Sequence, residues 1–157
     1  MTLQWQQYTF SQLTTDQLFD ILLLRVNVFV VEQQCPYPEL DAKDRHRETV
    51  HFIGTTNDGQ IATYCRILAP GQSYPQASLG RIVVAKPYRG QQLGQPLVQK
   101  ALDIALTTWP HSGVQIGAQH ALETFYQTLG FKAASAMYLE DDIPHIDMIY
   151  CDENIEV

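Results

Sequence analysis

One stretch, from Leu79 to Gln95, constrains the fold of this chain more than any other. It begins with an aliphatic run that predicts a buried strand, breaks at Pro87, and continues through a polar loop containing Gly90 and Gly94 into a helix. Consecutive backbone N–H groups at a helix N-terminus, together with the positive end of the helix dipole, favour a bound phosphate. The stretch therefore predicts an anion-binding loop, although a strand-to-helix turn without a ligand fits the same residues.

Two common phosphate-binding loops do not fit this stretch. The P-loop places Lys and then Ser or Thr at the helix entrance, whereas Gly94 is followed here by Gln95 and Pro96. The dinucleotide fingerprint needs three glycines and, about 20 residues later, an acidic residue at the end of the next strand. This loop has two glycines, and the next predicted strand ends in Gln119. Neither ATP nor a dinucleotide is therefore expected.

Two motifs separated by one predicted strand carry a family resemblance. The first is the loop Arg89-Gly90-Gln91-Gln92-Leu93-Gly94, and the second is the segment from Gln119 to Phe131, which contains FYQTLGF. The loop resembles the acyl-CoA loop of the GNAT N-acetyltransferases, Arg/Gln-x-x-Gly-x-Gly/Ala, and departs from it at Gln92, where the family usually has Gly. The second motif is similar to the helix of that family that ends Phe-Tyr-x-x-x-Gly-Phe. The segments LRVNVFVVEQQCPY and IPHIDM resemble the ElaA-like branch, so the resemblance covers nearly the whole chain.

The resemblance implies a binding site for acetyl-CoA as cosubstrate. It places the acyl-CoA contacts at Ile82, Val83, Val84, Arg89, Gly90, Gln91, Gln92, Leu93, Gly94, Gln95, Gln119 and Tyr126. Backbone N–H groups near Val83 or Val84 would polarise the thioester carbonyl, and Tyr126 would be the general acid for the departing thiolate. Because Tyr126 also falls on an apolar helical stripe, a packing role is the alternative for this residue.

The sequence leaves the general base open. An amine acceptor must lose a proton before it attacks, and a carboxylate, an imidazole or a water chain can accept that proton. Glu32 and His145 are the leading candidates, and His51 and Glu140 are the others. His145 lies in the IPHIDM segment and carries an imidazole, which ordinarily titrates near neutral pH. The same segment can equally be the start of a structural strand.

The acceptor site is expected in the segment from Glu32 to Arg47, which is rich in proline and acidic residues. In GNAT proteins the segment between the first helix and the second strand forms one wall of the acceptor site. The resemblance therefore makes Glu39, Asp41 and Asp44 candidates for binding a cationic amine. A solvated surface loop is the alternative interpretation of this segment.

Length and composition indicate one domain over residues 1–157, with 45% hydrophobic and 17% charged residues. No window approaches the roughly 18 apolar residues of a membrane span, and the N-terminus lacks an export signal. A formal charge of −7 disfavours nucleic acid, and the three cysteines and five histidines form no metal-ligand motif. We expect a cytoplasmic protein without a metal, nucleic-acid or membrane partner, whose acceptor is a small-molecule or peptide amine; a homodimer is left open.

The periodicity predicts the element order β, α, β-hairpin, β, α, β, α, β, β, which is a mixed α/β sheet. Thr14 begins the first helix with a capping box, and Arg25 interrupts the apolar face of that helix. Arg25 therefore either points into a cleft or pairs with a carboxylate such as Glu32. The other predicted elements are strands Leu3–Phe10, Val50–Thr55, Ile61–Leu68, Leu79–Val84, Val114–Ala118, Phe131–Leu139 and His145–Tyr150, and a helix over Gly94–Thr108.

The resemblance adds the topology of a GNAT fold, in which the sheet is mostly antiparallel. Strands Leu79–Val84 and Val114–Ala118 would run parallel and splay apart, with pantetheine between them. The expected function is transfer of an acetyl group from acetyl-CoA to a primary amine by direct attack on the thioester. A noncatalytic acyl-CoA-binding regulatory module and a transferase of a longer acyl chain are the alternatives.

Overall fold

The computed structural model describes residues 1–151, and residues 152–157 of the predicted domain lie outside the described part. In this described part of the chain, two four-stranded β-sheets and three α-helices form the framework. The strands are β1 (Gln4–Tyr8), β2 (Val50–Thr55), β3 (Ile61–Leu68), β4 (Ser78–Val84), β5 (Val114–Gln119), β6 (Lys132–Ala133), β7 (Tyr138–Glu140) and β8 (Ile143–Tyr150). The helices are α1 (Thr15–Arg25), α2 (Gly94–Thr108) and α3 (Glu123–Thr128).

The two sheets meet at one end of the β4–β5 pair. The first sheet is antiparallel in the order β1-β2-β3-β4, and in the second sheet β8 pairs antiparallel with β5, β6 and β7. Ala77, just before β4, forms a parallel bridge with Val114, and the Gln115 N–H donates to the Ala77 carbonyl at 2.9 Å. Within residues 1–151, β4 and β5 form no ladder beyond this bridge, so they diverge. The mixed α/β fold with a splayed parallel central pair is confirmed.

Local sequence signals explain several boundaries. Thr14 caps α1 by accepting a hydrogen bond from the Gln17 N–H at 3.1 Å, as the capping box predicts. Gly59 has a φ of 83° in the turn between β2 and β3, which confirms the predicted hairpin. Gly130 has a φ of 98° after α3, and the Phe131 N–H reaches back to the Tyr126 carbonyl at 3.1 Å. Helix α2 spans the predicted residues.

Apart from strand ends that differ by one or two residues, two predicted elements differ from the structure. The first helix does not continue regularly past Arg25, because residues Val26–Glu32 form a π-helical segment. The predicted strand Phe131–Leu139 is divided into β6 and β7. Between them the Ala134 N–H still donates to the Asp147 carbonyl at 2.8 Å, but the Asp147 N–H donates to the Ser135 hydroxyl at 2.9 Å in place of a backbone carbonyl, which interrupts the ladder.

The main core surrounds α2 and joins both sheets. Helix α2 presents buried residues at helical spacing, and these pack against aliphatic residues of β3, β4, β5 and β8 and against Tyr126 and Phe131. The buried residues of α2 are Leu97, Val98, Ala101, Leu102 and Ala105. Within residues 1–151, no helix is both long enough and apolar enough to cross a bilayer.

Candidate functional site

A cavity of about 410 Å³ lies where β4 and β5 diverge. Strand β4 contributes Ser78 to Ile82 to its wall, and β5 contributes Ile116 to Gln119. The rest of the wall comes from the π-helical segment after α1, the segment before β2, β3, the loop before β4, α3 with the turn before it, and the β7–β8 hairpin. Its polar residues include Tyr37, Asp41, Lys43, Arg66, Ser73, Tyr74, Tyr126, Glu140, Asp141 and His145. Of the predicted acyl-CoA contacts, Ile82, Gln119 and Tyr126 therefore share one cavity.

The predicted anion-binding loop lies outside this cavity, between β4 and the N-terminus of α2. Gly90 and Gln92 have left-handed φ values of 80° and 57°. Gln92 thus adopts, with a side chain, a conformation that glycine reaches more easily. Within residues 1–151, the backbone N–H groups from Gly90 to Leu93 have no hydrogen-bond acceptor. Together with the first N–H groups of α2, they form a set of donors suited to an anion.

Arg89 and Glu32 form an ion pair beside this loop. The distance between Arg89 Nη1 and Glu32 Oε2 is 2.9 Å, and Arg89 Nε donates to the Val84 carbonyl at 3.0 Å. Both side chains are more than one-third exposed. The structure therefore places Glu32 on the outer surface next to the loop, and not at the cavity that His145 and Glu140 line.

Tyr126 reaches the cavity from α3 with only 5% of its surface exposed. Its ring packs edge-to-face against Phe125 and Phe131, at centroid distances of 5.2 and 5.8 Å. Among the described residues, its hydroxyl has no hydrogen-bond partner, yet it is not sealed from the cavity. Burial raises the pKa of Tyr126, so this hydroxyl keeps its proton well above neutral pH.

His145 and Glu140 lie together on the part of the cavity wall that the β7–β8 hairpin contributes. His145 Nδ1 lies 2.7 Å from the Ile143 carbonyl, and Nε2 lies 3.4 Å from Glu140 Oε2. Because a carbonyl only accepts, Nδ1 carries the hydrogen of a neutral ring, and the lone pair of Nε2 faces Glu140. This pair can hold or pass a proton at the cavity.

His51 does not belong to this group. Its ring nitrogens lie 2.7 Å from the Tyr64 hydroxyl and 2.9 Å from the Asp44 carbonyl, beneath the cavity wall. Burial lowers the pKa of His51 and so favours the neutral ring, in which Nε2–H donates to the Asp44 carbonyl and Nδ1 accepts from the Tyr64 hydroxyl. The structure gives His51 a place in a buried hydrogen-bond network.

The three acidic candidates, Glu39, Asp41 and Asp44, pair with arginines in a largely buried network. Arg25 lies 3.5 Å from Glu39 and 2.7 Å from Asp44, so it pairs with these carboxylates and not with Glu32. The other pairs are Arg66 with Asp41 at 2.7 Å, Arg66 with Asp44 at 3.0 Å, Arg81 with Glu39 at 2.6 Å and Arg81 with Asp41 at 3.8 Å. Only Asp41 of the three lines the cavity, with 34% of its side chain exposed.

Electrostatics explain why this network stays charged. Burial alone would raise the pKa of Asp44, but the hydrogen bond and charge of Arg25, with Arg66 beyond it, lower that pKa to about 2. The carboxylate is therefore ionised across the whole neutral range. Each of the three acids faces two arginines, so the charges of the network balance within the protein.

Regular pairing between β4 and β3 is interrupted at the cavity. Val83 and Val84 pair in register with Tyr64 and Thr63 and do not line the cavity, and pairing resumes at Gly80. Between these pairs, Arg81 and Ile82 together face Cys65 of β3. The irregular backbone that borders the cavity therefore lies at Arg81 and Ile82, whereas the family resemblance indicated backbone N–H groups near Val83 or Val84 for the thioester carbonyl.

Sequence reasoning missed the arginines of β3 and β4. Arg66 is 3% exposed and Arg81 lies on the cavity wall, and each interrupts a strand that is otherwise largely apolar. A charged residue at such a position needs a carboxylate partner, which is the signal that could have identified the network. Tyr74 and Tyr138 were also missed; both lie close to Asp147 beside Gly117.

A family model and a curated relative both match most of this chain. The family model for the acetyltransferase (GNAT) domain matches residues 21–151. Protein ElaA of Escherichia coli strain K12 is 40% identical over 146 residues, which cover 93% of this chain and 95% of that protein.

Solved structures show the same likeness. An acyl-CoA N-acyltransferase from Pseudomonas aeruginosa superposes with a TM-score of 0.90 at 41% identity, covering 96% of this chain and 100% of that chain. The crystal structure of Escherichia coli ElaA gives a TM-score of 0.88 at 38% identity, over 95% of this chain and 99% of that chain. A CoA-dependent acyl-homoserine lactone synthase, BjaI, shares the fold alone, with a TM-score of 0.75 at 15% identity over 94% of this chain and 83% of that chain.

Proposed function

The chain belongs to the GNAT acetyltransferase family, in its ElaA-like branch, and from this premise we propose that it transfers an acetyl group from acetyl-CoA to a primary amine. One observation carries the proposal. Within the described residues, the unpartnered Tyr126 hydroxyl lies in a cavity between splayed strands whose lining also contains a histidine–carboxylate pair. An acid and a base that face one cavity are the groups that amide formation from a thioester needs.

The residues present fit an acyl-CoA ligand. The backbone N–H groups from Gly90 to Leu93 have no acceptor within residues 1–151 and can bind a pyrophosphate. A Cβ at Gly94 would meet only a side-chain atom of Phe125 at 3.8 Å, so the backbone of this helix entrance is open. The diverging edges of β4 and β5 can pair with amide groups, as they would with an added strand. When bound, acetyl-CoA supplies the thioester whose acetyl group is transferred and whose thiolate leaves.

Side chains of this protein then accept and donate the protons of the reaction. The Nε2 atom of His145, next to Glu140, accepts a proton from the ammonium form of the acceptor, which makes the amine nucleophilic. Tyr126, whose raised pKa keeps its hydroxyl protonated at neutral pH, donates that proton to the departing sulfur and regains a proton from the attacking nitrogen as the amide forms. Backbone N–H groups of β4 polarise the thioester carbonyl. Asp41 is the member of the acidic segment that can attract a cationic acceptor.

A direct test is acetyl-CoA consumption with a panel of small primary amines and peptide N-termini, measured by release of free thiol. We expect turnover that depends on an amine and is lost in Tyr126→Phe and His145→Gln. Calorimetric binding of acetyl-CoA without turnover for any amine would favour the noncatalytic binding module. Faster turnover with a longer acyl-CoA would favour the longer-chain transferase, and no binding at high micromolar ligand would contradict the proposed function.

Three further sequence-based expectations stay predictions. They are a cytoplasmic location, the absence of nucleic-acid and membrane partners, and a single domain over residues 1–157. A homodimer is also left open, and equilibrium sedimentation of the purified protein tests it.

A further inference from the structure

The backbone of β4 is irregular where it borders the cavity. Arg81 and Ile82 together face Cys65, so this strand carries an extra residue relative to β3. Such a bulge removes the extra residue from the ladder and re-aims the backbone around it. Both Arg81 and Ile82 line the cavity. The bulge therefore sets the direction of the backbone groups at the point where the two sheets diverge.

Arg81 holds a backbone conformation that an arginine does not favour. Its φ is 51°, in the left-handed region that glycine adopts freely and other residues adopt at an energetic cost. The corresponding bulges with a left-handed residue usually have glycine at this position. Some other interaction must therefore compensate for the energetic cost of holding an arginine in this left-handed conformation.

The side chain of Arg81 supplies that interaction through Glu39. Arg81 Nε lies 2.6 Å from Glu39 Oε1, and Arg81 Nη2 donates to the Glu39 carbonyl at 3.1 Å. The guanidinium also lies over the ring of Tyr37, 5.8 Å from its centroid. Arginine suits such a site because its planar group contacts a carboxylate, a carbonyl and an aromatic ring together.

Glu39 is itself held from several directions. It is 3% exposed, Arg25 Nε lies 3.5 Å from its Oε1, and the Tyr37 hydroxyl donates to its Oε2 at 3.2 Å. Glu39 does not line the cavity. A carboxylate fixed in this way is a rigid anchor for Arg81, and it is poorly placed to meet an acceptor.

We propose that Glu39 and Arg81 form a clamp that holds the β4 bulge in its left-handed conformation, and that Glu39 is thereby a positioning residue. The consequence for catalysis rests on the proposed function. The clamp keeps backbone N–H groups of the bulge directed at the cavity, where they stabilise the charge that develops on the thioester oxygen. A donor of this kind works only if it is preorganised.

Two substitutions at Arg81 distinguish the effect of its backbone conformation from the effect of losing its side chain. Arg81→Ala removes the clamp and leaves a residue that disfavours the left-handed region, so the bulge relaxes. Arg81→Gly also removes the clamp but adopts the same φ without strain. We expect kcat to fall at least about tenfold in Arg81→Ala and to fall several-fold less in Arg81→Gly, because only the glycine variant keeps the backbone conformation of the bulge. The KM for acetyl-CoA should change little in either variant.

A double-mutant cycle tests the role of Glu39. Glu39→Gln should lower kcat in the wild-type background, and it should have little further effect when Arg81 is already Gly, because the bulge then needs no anchor. Thermal unfolding of each variant separates this effect from loss of folded protein. Equal falls of kcat in Arg81→Ala and Arg81→Gly, or no fall in either, would overturn the proposal.

A readout that is independent of activity distinguishes failure of the clamp from failure of the proposed function. Amide chemical shifts and hydrogen exchange of residues 80–83 should be altered in Arg81→Ala and remain close to wild type in Arg81→Gly. If the wild-type protein turns over no acceptor, the proposed function fails and this comparison still tests the clamp. Wild-type shifts and exchange in Arg81→Ala would contradict it.

Discussion

At the scale of single residues, Tyr126 is the most informative of the proposed proton donors and acceptors. Its ring is packed between Phe125 and Phe131, whereas its hydroxyl has no partner among residues 1–151. A tyrosine that only fills the core usually satisfies its hydroxyl when buried. The contrast between a fixed ring and a free hydroxyl favours a role for the oxygen atom.

Tyr126→Phe removes only that oxygen. We expect kcat to fall about 10²-fold or more while the melting temperature stays close to wild type, because ring packing is retained. A general acid acts only while it is protonated. In the wild-type protein, kcat should therefore fall at a pH above the ordinary tyrosine pKa, and this alkaline limb of the pH profile should disappear in the variant. Tyr150→Phe, which removes a hydroxyl outside the cavity, is the matched control, and wild-type turnover in Tyr126→Phe would assign Tyr126 to packing.

Asp41 differs from the other two acids of its segment because its carboxylate is partly exposed on the cavity wall. We expect Asp41→Asn to raise the KM of a cationic acceptor several-fold without changing acetyl-CoA affinity. Glu48→Gln, an exposed charge beyond the same segment, should change neither value. An unchanged KM in Asp41→Asn would mean that Asp41 does not bind the acceptor and that its role is the ion pair with Arg66.

At the scale of elements, the loop between β4 and α2 depends on backbone conformation more than on side chains. Gly90 and Gln92 both adopt left-handed φ values there, and the N–H groups from Gly90 to Leu93 have no acceptor within residues 1–151. A Cβ at Gly90 would meet nothing within 4 Å, so a side chain there strains the backbone and does not clash.

Gly90→Val should therefore weaken acetyl-CoA binding, whereas Gln92→Ala should weaken it much less, because backbone donors carry the contact. Gly59→Val is a matched control, since Gly59 has a φ of 83° and equally open surroundings in the β2–β3 turn. Calorimetric titration should show that only Gly90→Val loses affinity for acetyl-CoA. Thermal unfolding should show that the two glycine variants lower the melting temperature by similar amounts. Equal affinity in both would mean that the loop does not hold the ligand.

At the scale of the whole molecule, the arginine–carboxylate network joins parts of the chain that are distant in sequence. It links the end of α1 to the segment before β2 and to β3 and β4. Breaking one partner of a buried ion pair leaves an uncompensated charge, which is strongly destabilising. The network thus couples the cavity wall to the stability of the fold.

Asp44 makes this coupling sensitive to pH. The folded-state pKa of Asp44 is lowered to about 2. Its contribution to stability is therefore fully present at a pH above the ordinary aspartate pKa, and it is lost as the pH falls from about 4 towards 2. That contribution is on the order of 2 kcal/mol. We expect Asp44→Asn to be much less stable at neutral pH and to lose less stability between pH 5 and 2. Urea unfolding across this range measures both effects, and Asp20→Asn, an exposed residue of α1, should behave as wild type.

The sequence by itself determined the elements whose signals are local. Capping at Thr14, the turn at Gly59, the bounds of α2 and the left-handed residue Gly130 each depend on a few neighbouring residues, and the structure confirms them. The two family motifs also predicted the splayed strand pair. Such features are encoded in short segments, where backbone preference and side-chain type act together.

Only the tertiary structure decided which charged residues meet. Arg25 pairs with Glu39 and Asp44 and not with Glu32, and His145 meets Glu140, because the packing of helices and sheets brings distant segments together. The break between β6 and β7 and the left-handed Arg81 likewise depend on the neighbours that the fold supplies. A linear sequence records that a strand carries an arginine, but the partner that makes its burial favourable is fixed only when the chain folds.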